Sequence, residues 1–264
     1  RLLFYKLGDT PVFIEHKIGK GKALLLNFTG NYTPGSYRSK QTPPIRTTPR
    51  GDLYLDIAHR LAAAAGVTPE LTVSSGDERL RGIDIVSWKD GSASYFGFTP
   101  NDYCDYAWVL TMPRVMKLHG KVEKSGHLYD IRCGRYLGYG NTFNMELQRG
   151  SAALLANLPY KVSKVTITGP VKVRQGKAVE FVLAVAAEGG KAGRHILHVE
   201  VSANGKSLKH YAANIEAKNG QGIYRLPVAL NDMPGSWTIT ARDTVSGIRG
   251  RASFRIEEAN STQS

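Results

Sequence analysis

The spacing of apolar residues changes from a helical period to a strand period near Pro69. Ahead of it, Leu53, Ile57, Leu61 and Ala64 recur at four- and three-residue intervals, which places them on one face of a helix. Thr48-Pro49 supplies an N-cap followed by proline at the first helical position, and Gly66 and Pro69 supply a stop. This is the one helix the sequence predicts. Further upstream, the short apolar runs Val12-Phe13-Ile14 and Ala23-Leu24-Leu25-Leu26 are joined through Gly19-Lys20-Gly21 and predict a hairpin over 11–27. The second run does not alternate, so it is expected to be covered on both faces. Residues 29–50 are rich in Thr, Pro, Gly, Ser and Arg and predict a long loop.

Beyond Pro69 the period is two. Strands are expected at 83–89, 94–98, 106–112, 127–133, 143–148 and 152–158, with turns such as Asp90-Gly91 and Cys133-Gly134 between them. Phe143, Met145 and Leu147 alternate with polar neighbours, and Trp108, Leu110 and Met112 share one face, the mark of an antiparallel sheet packed on one side. Leu158-Pro159-Tyr160-Lys161 reads as a joint. After it come strand candidates at the spacing of an immunoglobulin-like sandwich. Their inward sets are Val165/Ile167, Val179/Phe181/Leu183/Val185, Leu197/Val199/Val201, Ile215, Tyr224/Leu226/Val228, Trp237/Ile239/Ala241 and Ala252/Phe254/Ile256. Asn204-Gly205 and Asn219-Gly220 are turn dipeptides that tolerate positive φ. The expected fold class is mainly β. Residues 1–75 are read as an α/β domain remnant, 76–160 as a small antiparallel β-domain, 161–258 as an immunoglobulin-like β-sandwich, and 259–264 as a disordered polar tail.

Composition narrows this picture little: 42% hydrophobic and 22% charged residues are ordinary for globular proteins. No run approaches the roughly 18 apolar residues of a membrane helix, so membrane insertion is not expected. The chain opens on Arg1 rather than Met, in what reads as the middle of a folded unit, and is taken as a fragment of a longer protein. The net charge of +13 raises nucleic acid as a partner. The cations are scattered over strand ends and turns (Lys17, Lys20, Lys22, Arg174, Lys177, Lys191, Arg194) without a basic helix or run, which argues against it. The two cysteines allow at most one bridge. Cys104 falls in a polar turn, and Cys133, in alternation with Tyr129 and Ile131, is expected to be a buried thiol.

The motifs that carry chemistry fail one by one. Gly19-Lys20-Gly21-Lys22 is followed by a strand where a phosphate cradle needs a helix N-terminus. His195 and His198 are three apart on a strand and point to opposite faces. His119 and His127 are expected to flank a hairpin from Gly120 to Gly126 and lack a third metal ligand. There is no Gly-x-Ser-x-Gly elbow. Asp102 with Asp105, and Asp130 with Glu146, sit where turn and solvent-face acids sit, although a hydrolase site near Asp130, His127 and Glu146 stays open as an alternative. No catalytic, cofactor-binding or metal-binding residue is assigned. The aromatic residues of the middle module, Trp88, Tyr95, Trp108, Tyr136 and Tyr139, offer a sugar platform: Trp108, like Trp237 of the sandwich, reads as core, and Trp88, Tyr95 and Tyr139 are the candidate carbohydrate contacts.

Three stretches together resemble a known architecture. Pro11 to Lys22 followed by Leu25-Leu26-Asn27-Phe28 resembles the last hairpin of the class-I-amidotransferase-like trimerisation domain of family-42 β-galactosidases and related bacterial proteins, and Ala62 to Pro69 resembles its closing helix. His127 to Gly138 resembles the small β-domain that follows in long members. Gly193 to Val201, His210-Tyr211-Ala212 and Ala229 to Trp237 resemble the macroglobulin- or immunoglobulin-like module often found last. The resemblance implies an accessory C-terminal region of a large glycoside-hydrolase-like protein, extracellular or periplasmic. Its partners would be the upstream domains of the same polypeptide, with carbohydrate or a second copy of the chain as further ones. The family's catalytic glutamates lie in an upstream barrel, so no site residue transfers to a numbered position here.

Overall fold

The computed structural model describes residues 6–7, 10–11, 13–26, 59–76, 78–79, 83–100 and 114–259. The expected loop 29–50, the start of the helix, the strand 106–112 with Trp108, Cys104, the Asp102/Asp105 pair and residues 260–264 lie outside them. The described part is mainly β.

At the N-terminal end, β1 (Lys6–Leu7) pairs with β2 (Thr10–Pro11), and β3 (Phe13–Ile18) with β4 (Gly21–Leu26) around Gly19 at φ +57°. The hairpin is the expected one, but its second strand is not covered on both faces. Ala23 is exposed and Leu25 is 58% exposed, because β3 and β4 form a two-stranded sheet of their own. The helix is described over 59–64. It closes as a Schellman motif: Gly66 at φ +75° donates to the Ala63 carbonyl and Val67 donates to the Ala62 carbonyl.

The middle module is a seven-stranded antiparallel sheet of β5 (Leu71–Ser75), β6 (Glu78–Arg79), β7 (Ile83–Asp90), β8 (Ala93–Pro100), β9 (Val115–Asp130), β10 (Arg135–Gln148) and β11 (Ala153–Leu158). The strand order is β6-β5-β9-β11-β8-β7, with β10 paired to β9. The sheet thus starts at Leu71, ahead of the boundary expected at 76. One face closes over a core of Phe96, Phe98, Leu118, Leu128, Phe143, Met145, Leu147 and Leu155.

Two expectations fail here. Gly120 to Gly126 is not a hairpin but the interior of β9, and His119 and His127 lie on one continuous strand. A Cβ on Gly120 would sit 2.4 Å from the Phe143 ring, and one on Gly126 would sit 2.0 Å from Asn157 Oδ1. These glycines serve close approach rather than a turn. Nor does the next strand reach Cys133. β9 ends at Asp130, whose carboxylate accepts the Cys133 N–H at 3.3 Å, so Cys133 occupies a turn and is an exposed free thiol.

After Pro159-Tyr160 the chain forms the sandwich. One sheet is β12 (Lys161–Thr168), β14 (Ala178–Glu188) and β18 (Gln221–Pro227). The other holds β13 (Lys172–Arg174), β15 (His195–Ala203), β16 (Lys206–Ser207), β17 (Ala213–Ala217), β19 (Gly235–Asp243) and β20 (Arg249–Glu257), in the order β13-β20-β19-β15-β16 with β17 also on β15. The short β13 runs parallel to β20 and all other pairs are antiparallel, an immunoglobulin-like order. The inward sets read from alternation are the observed ones, with Trp237, Leu183, Leu197, Leu226 and Ile239 at 0% exposure. Asn204 (φ 47°) and Asn219 (φ 51°) turn the chain before their glycines.

The two modules share one hydrophobic core. Ala93, Tyr129, Ala156 and Leu158 of the middle module belong to the same buried cluster as Tyr160, Val162, Phe181 and Trp237.

Candidate functional site

Register determines which aromatic residues meet. Along one row of the middle sheet Trp88 faces Tyr95, Tyr95 faces Ala156, Ala156 faces Tyr129 and Tyr129 faces Tyr136. Directly opposed residues share a face. Tyr139 faces His127, two positions from Tyr129 on β9, and so lies on that face too. The candidate contacts Trp88, Tyr95 and Tyr139 therefore all sit on the face that meets the sandwich, but not as one open strip. The sandwich covers its centre: Val162 donates its N–H to the Tyr129 hydroxyl at 2.8 Å, and Tyr129 is 1% exposed. Tyr95 packs against the shared core, and burial pushes its hydroxyl up to about 12. Trp88, 51% exposed, and Tyr139, 71% exposed, are left on opposite flanks of the joint. The Trp88 ring lies against Gly97, where a Cβ would come within 2.9 Å of it.

On the β10 flank a chain of rings runs outward from the core. Tyr129 meets Tyr136 at 5.1 Å between centroids, Tyr136 meets His127 at 5.9 Å, and His127 meets Tyr139 at 5.0 Å. His127 Nδ1 and the Tyr136 hydroxyl are hydrogen-bonded at 2.9 Å. Lys161 Nζ stands 5.8 Å from the centre of the Tyr136 ring and pairs with Glu188 at 3.4 Å. Burial first, and then the Lys161 charge, hold the His127 imidazole below its ordinary 6.5. Irregularities in the β9–β10 register between Tyr136 and Gly138, and between Gly140 and Thr142, bracket Tyr139. Sequence reasoning placed His127 in the hydrolase alternative and did not join it, or Tyr136, to Tyr139. Alternation across a bulge does not reveal that they converge.

At the joint a second constellation is fully buried. His195 Nδ1 donates to Asp243 Oδ1 at 2.7 Å, since a carboxylate only accepts, and His195 Nε2 meets the Tyr160 hydroxyl at 3.0 Å. The same hydroxyl accepts the Gly193 N–H at 2.8 Å. Asp243 Oδ2 accepts from Ser246 twice, from N–H at 2.8 Å and from Oγ at 2.6 Å. Burial alone would raise the Asp243 carboxyl, but His195 and Ser246 outweigh it and hold the group below its ordinary 3.8. The signal for this network was present in the sequence. His195 and Asp243 both stand at inward positions of alternating strands, where a polar residue must find a partner.

Beside the network a cleft of about 390 Å3 opens between the Asp90–Ala93 turn and the sandwich turns at 191–194 and 218–219, with Tyr95 and Tyr160 in its wall. Arg194 bridges it, 3.4 Å from Asp90 and 3.4 Å from Glu216. The Asp130, His127 and Glu146 alternative does not assemble. His127 and Asp130, three apart on β9, face opposite sides, and Asp130 is buried with Arg135 at 3.6 Å and the Cys133 N–H. His195 and His198 likewise part, His195 inward and His198 toward Asn214 at 2.8 Å. No cluster of metal-ligating residues occurs among the described residues.

No family model matches the chain, and no curated protein matches it. Among solved structures it is similar to the CARDB domain of a Pyrococcus furiosus protein crystallised with di-metal ions. That likeness has 15% identity, 36% of this chain, 86% of that one and a TM-score of 0.26. It is also similar to superoxide reductase (neelaredoxin) from Ignicoccus hospitalis, at 12% identity, 36% and 82% coverage and a TM-score of 0.28. Salmonella alpha-2-macroglobulin matches at 14% identity over 63% of this chain but only 18% of that one, with a TM-score of 0.27. At these scores the likenesses carry no weight for function.

Proposed function

We propose that this chain is a non-catalytic accessory region of a large exported, β-galactosidase-like glycoside hydrolase. In this reading it is a two-module scaffold that fixes the position of neighbouring domains. The observation that supports this reading is the continuity of the core across the Pro159-Tyr160 joint. Tyr129, Ala156 and Leu158 are sealed against the sandwich, and each fully buried large side chain contributes roughly 1.5–3 kcal/mol. The exposed Asp90–Arg194 pair adds about 0–1 kcal/mol at most. Apolar burial therefore dominates the joint, as a rigid spacer requires and a hinge does not. The resemblance in sequence supplies the rest of the reading: the glycoside-hydrolase context, the exported location and the upstream domains as partners.

Purified chain is expected to leave aryl-galactosides unhydrolysed above the buffer rate. Turnover at an enzyme-like rate, abolished by substitution of a residue in the joint cleft, overturns the scaffold reading.

A second reading is favoured by the large rings left in water on the middle module: the module also binds carbohydrate. The observation that favours it is the grouping of exposed Tyr139 with the Tyr136 and His127 rings on one flank.

A further inference from the structure

We propose that the ring cluster built from Tyr136, His127 and Tyr139 is a binding shelf for a neutral hexopyranose chain, with Tyr139 as the stacking ring. This rests on the second reading above and gives it a site and a ligand class.

Tyr139 belongs to a long paired strand, yet 71% of it faces water. The rings behind it are ordered in sequence from the core. Tyr129 is anchored by the Val162 N–H, Tyr136 leans on Tyr129, and His127 is tied to the Tyr136 hydroxyl and stands 5.0 Å from Tyr139. The rings behind Tyr139 are held by the core, and the His127 ring packs against one side of it, which limits the side-chain freedom left to be lost on binding. The irregularities on either side of Tyr139, next to Gly138 at φ +126° and Gly140 at φ +153°, locally break the regular pairing of β10 with β9.

The surroundings select the ligand. A pyranose with equatorial hydroxyls offers one apolar C–H face to a ring and a rim of hydroxyls to polar neighbours. The shelf provides both: the Tyr139 face, and beside it the His127 imidazole, the Tyr136 hydroxyl and the Lys161–Glu188 pair. Lys161 is already paired with Glu188, so charge at the shelf is balanced and favours a neutral sugar over an acidic one or a nucleic acid, which needs uncompensated cations. Glycines rather than aliphatic residues flank Tyr139 on β10, which is unlike the apolar centre of a protein interface.

The test is a titration of the full chain with cellohexaose and with a β-linked galactohexaose, read by calorimetry and by the tyrosine ring signals in NMR. A (dT)10 oligonucleotide serves as the control ligand. Saturable binding of at least one oligosaccharide is expected, weakened about tenfold or more by Tyr139→Ala, retained by Tyr139→Phe and unchanged by Trp88→Ala. Tyr139 is exposed, so its replacement leaves the fold intact, checked by near-ultraviolet circular dichroism. Binding that survives Tyr139→Ala but is lost in Trp88→Ala overturns the shelf and leaves the carbohydrate reading of the module standing, with its site on the other flank. Absence of binding to both oligosaccharides at millimolar concentration overturns shelf and reading together. Retention of the oligonucleotide through Tyr139, without either sugar, also overturns the proposal.

Discussion

Asp243 is a carboxylate with 0% exposure, and the fold tolerates it because each oxygen has a donor. Removing it leaves the His195 and Ser246 donors buried without an acceptor, at ~1–3 kcal/mol each. Asp243→Ala is therefore expected to lower stability by about 3 kcal/mol, measured by urea unfolding at pH 7. The pH dependence follows from the same contacts. The folded-state carboxyl lies below its ordinary 3.8, so the native state binds fewer protons there than the unfolded chain. The stabilisation from Asp243 is complete above about pH 3.8 and fades as pH falls from there toward the folded-state value. An Asp243→Asn variant is expected to be less stable at pH 7 and to lose less on acidification below pH 3.8 than the wild type. Equal acid sensitivity of the two would show that other carboxylates set the acid limit.

At the scale of elements, a strand's stability depends on whether a second layer covers it. β3 and β4 pair over Phe13–Ile18 and Gly21–Leu26, with Glu15 and Lys22 bridged at 2.9 Å, but Ile18 and Leu25 stay more than half exposed. β19, by contrast, lies between β15 and β20 with Trp237, Ile239 and Ala241 at 0% exposure. Amides of β3 and β4 are expected to exchange with deuterium within minutes at neutral pH and those of β19 over days, measured by NMR or mass spectrometry. Equal protection would mean that the hairpin is covered. The periodicity of these elements was legible in the sequence wherever alternation was unbroken, as in Val179/Phe181/Leu183/Val185. It misled at β9, where Gly120 and Gly126 look like turn residues but make room for Phe143 and Asn157. It misled again at Cys133, where alternation continued past the residue at which the strand ends. In the first case the deciding contact comes from another strand; in the second it is local, the Asp130 carboxylate closing the turn on the Cys133 N–H.

At the scale of the whole molecule, the middle module and the sandwich are held together at one joint. Apart from the shared core, the turn at Gly134 and the turn at Gly247 touch backbone to backbone. A Cβ on Gly247 would lie 2.6 Å from the Gly134 carbonyl oxygen, and both glycines have positive φ (58° and 74°). Residues 71–257 are therefore expected to unfold in calorimetry as one transition, with matching calorimetric and van't Hoff enthalpies. Gly247→Val is expected to separate it into two, because the modules then cannot close on each other. Two transitions in the wild type would show that the modules are independent and would remove the support for a rigid scaffold.

Local order was fixed by the chain itself. The alternation of the sandwich strands, the Asn-Gly turns, the Gly66 helix stop and the opposed directions of His195 and His198 all follow from side-chain period and backbone sterics, which act between near neighbours. What only the tertiary structure decided is which distant residues meet. His195 found Asp243, Tyr139 was left in water while Tyr95 was covered, and two modules closed over one core. These outcomes depend on strand register, on a bulge beside Tyr136 and on glycines that allow close approach. A one-residue change of register moves every side chain to the other face, so no property of Tyr139 alone, and no pattern around it, sets its exposure.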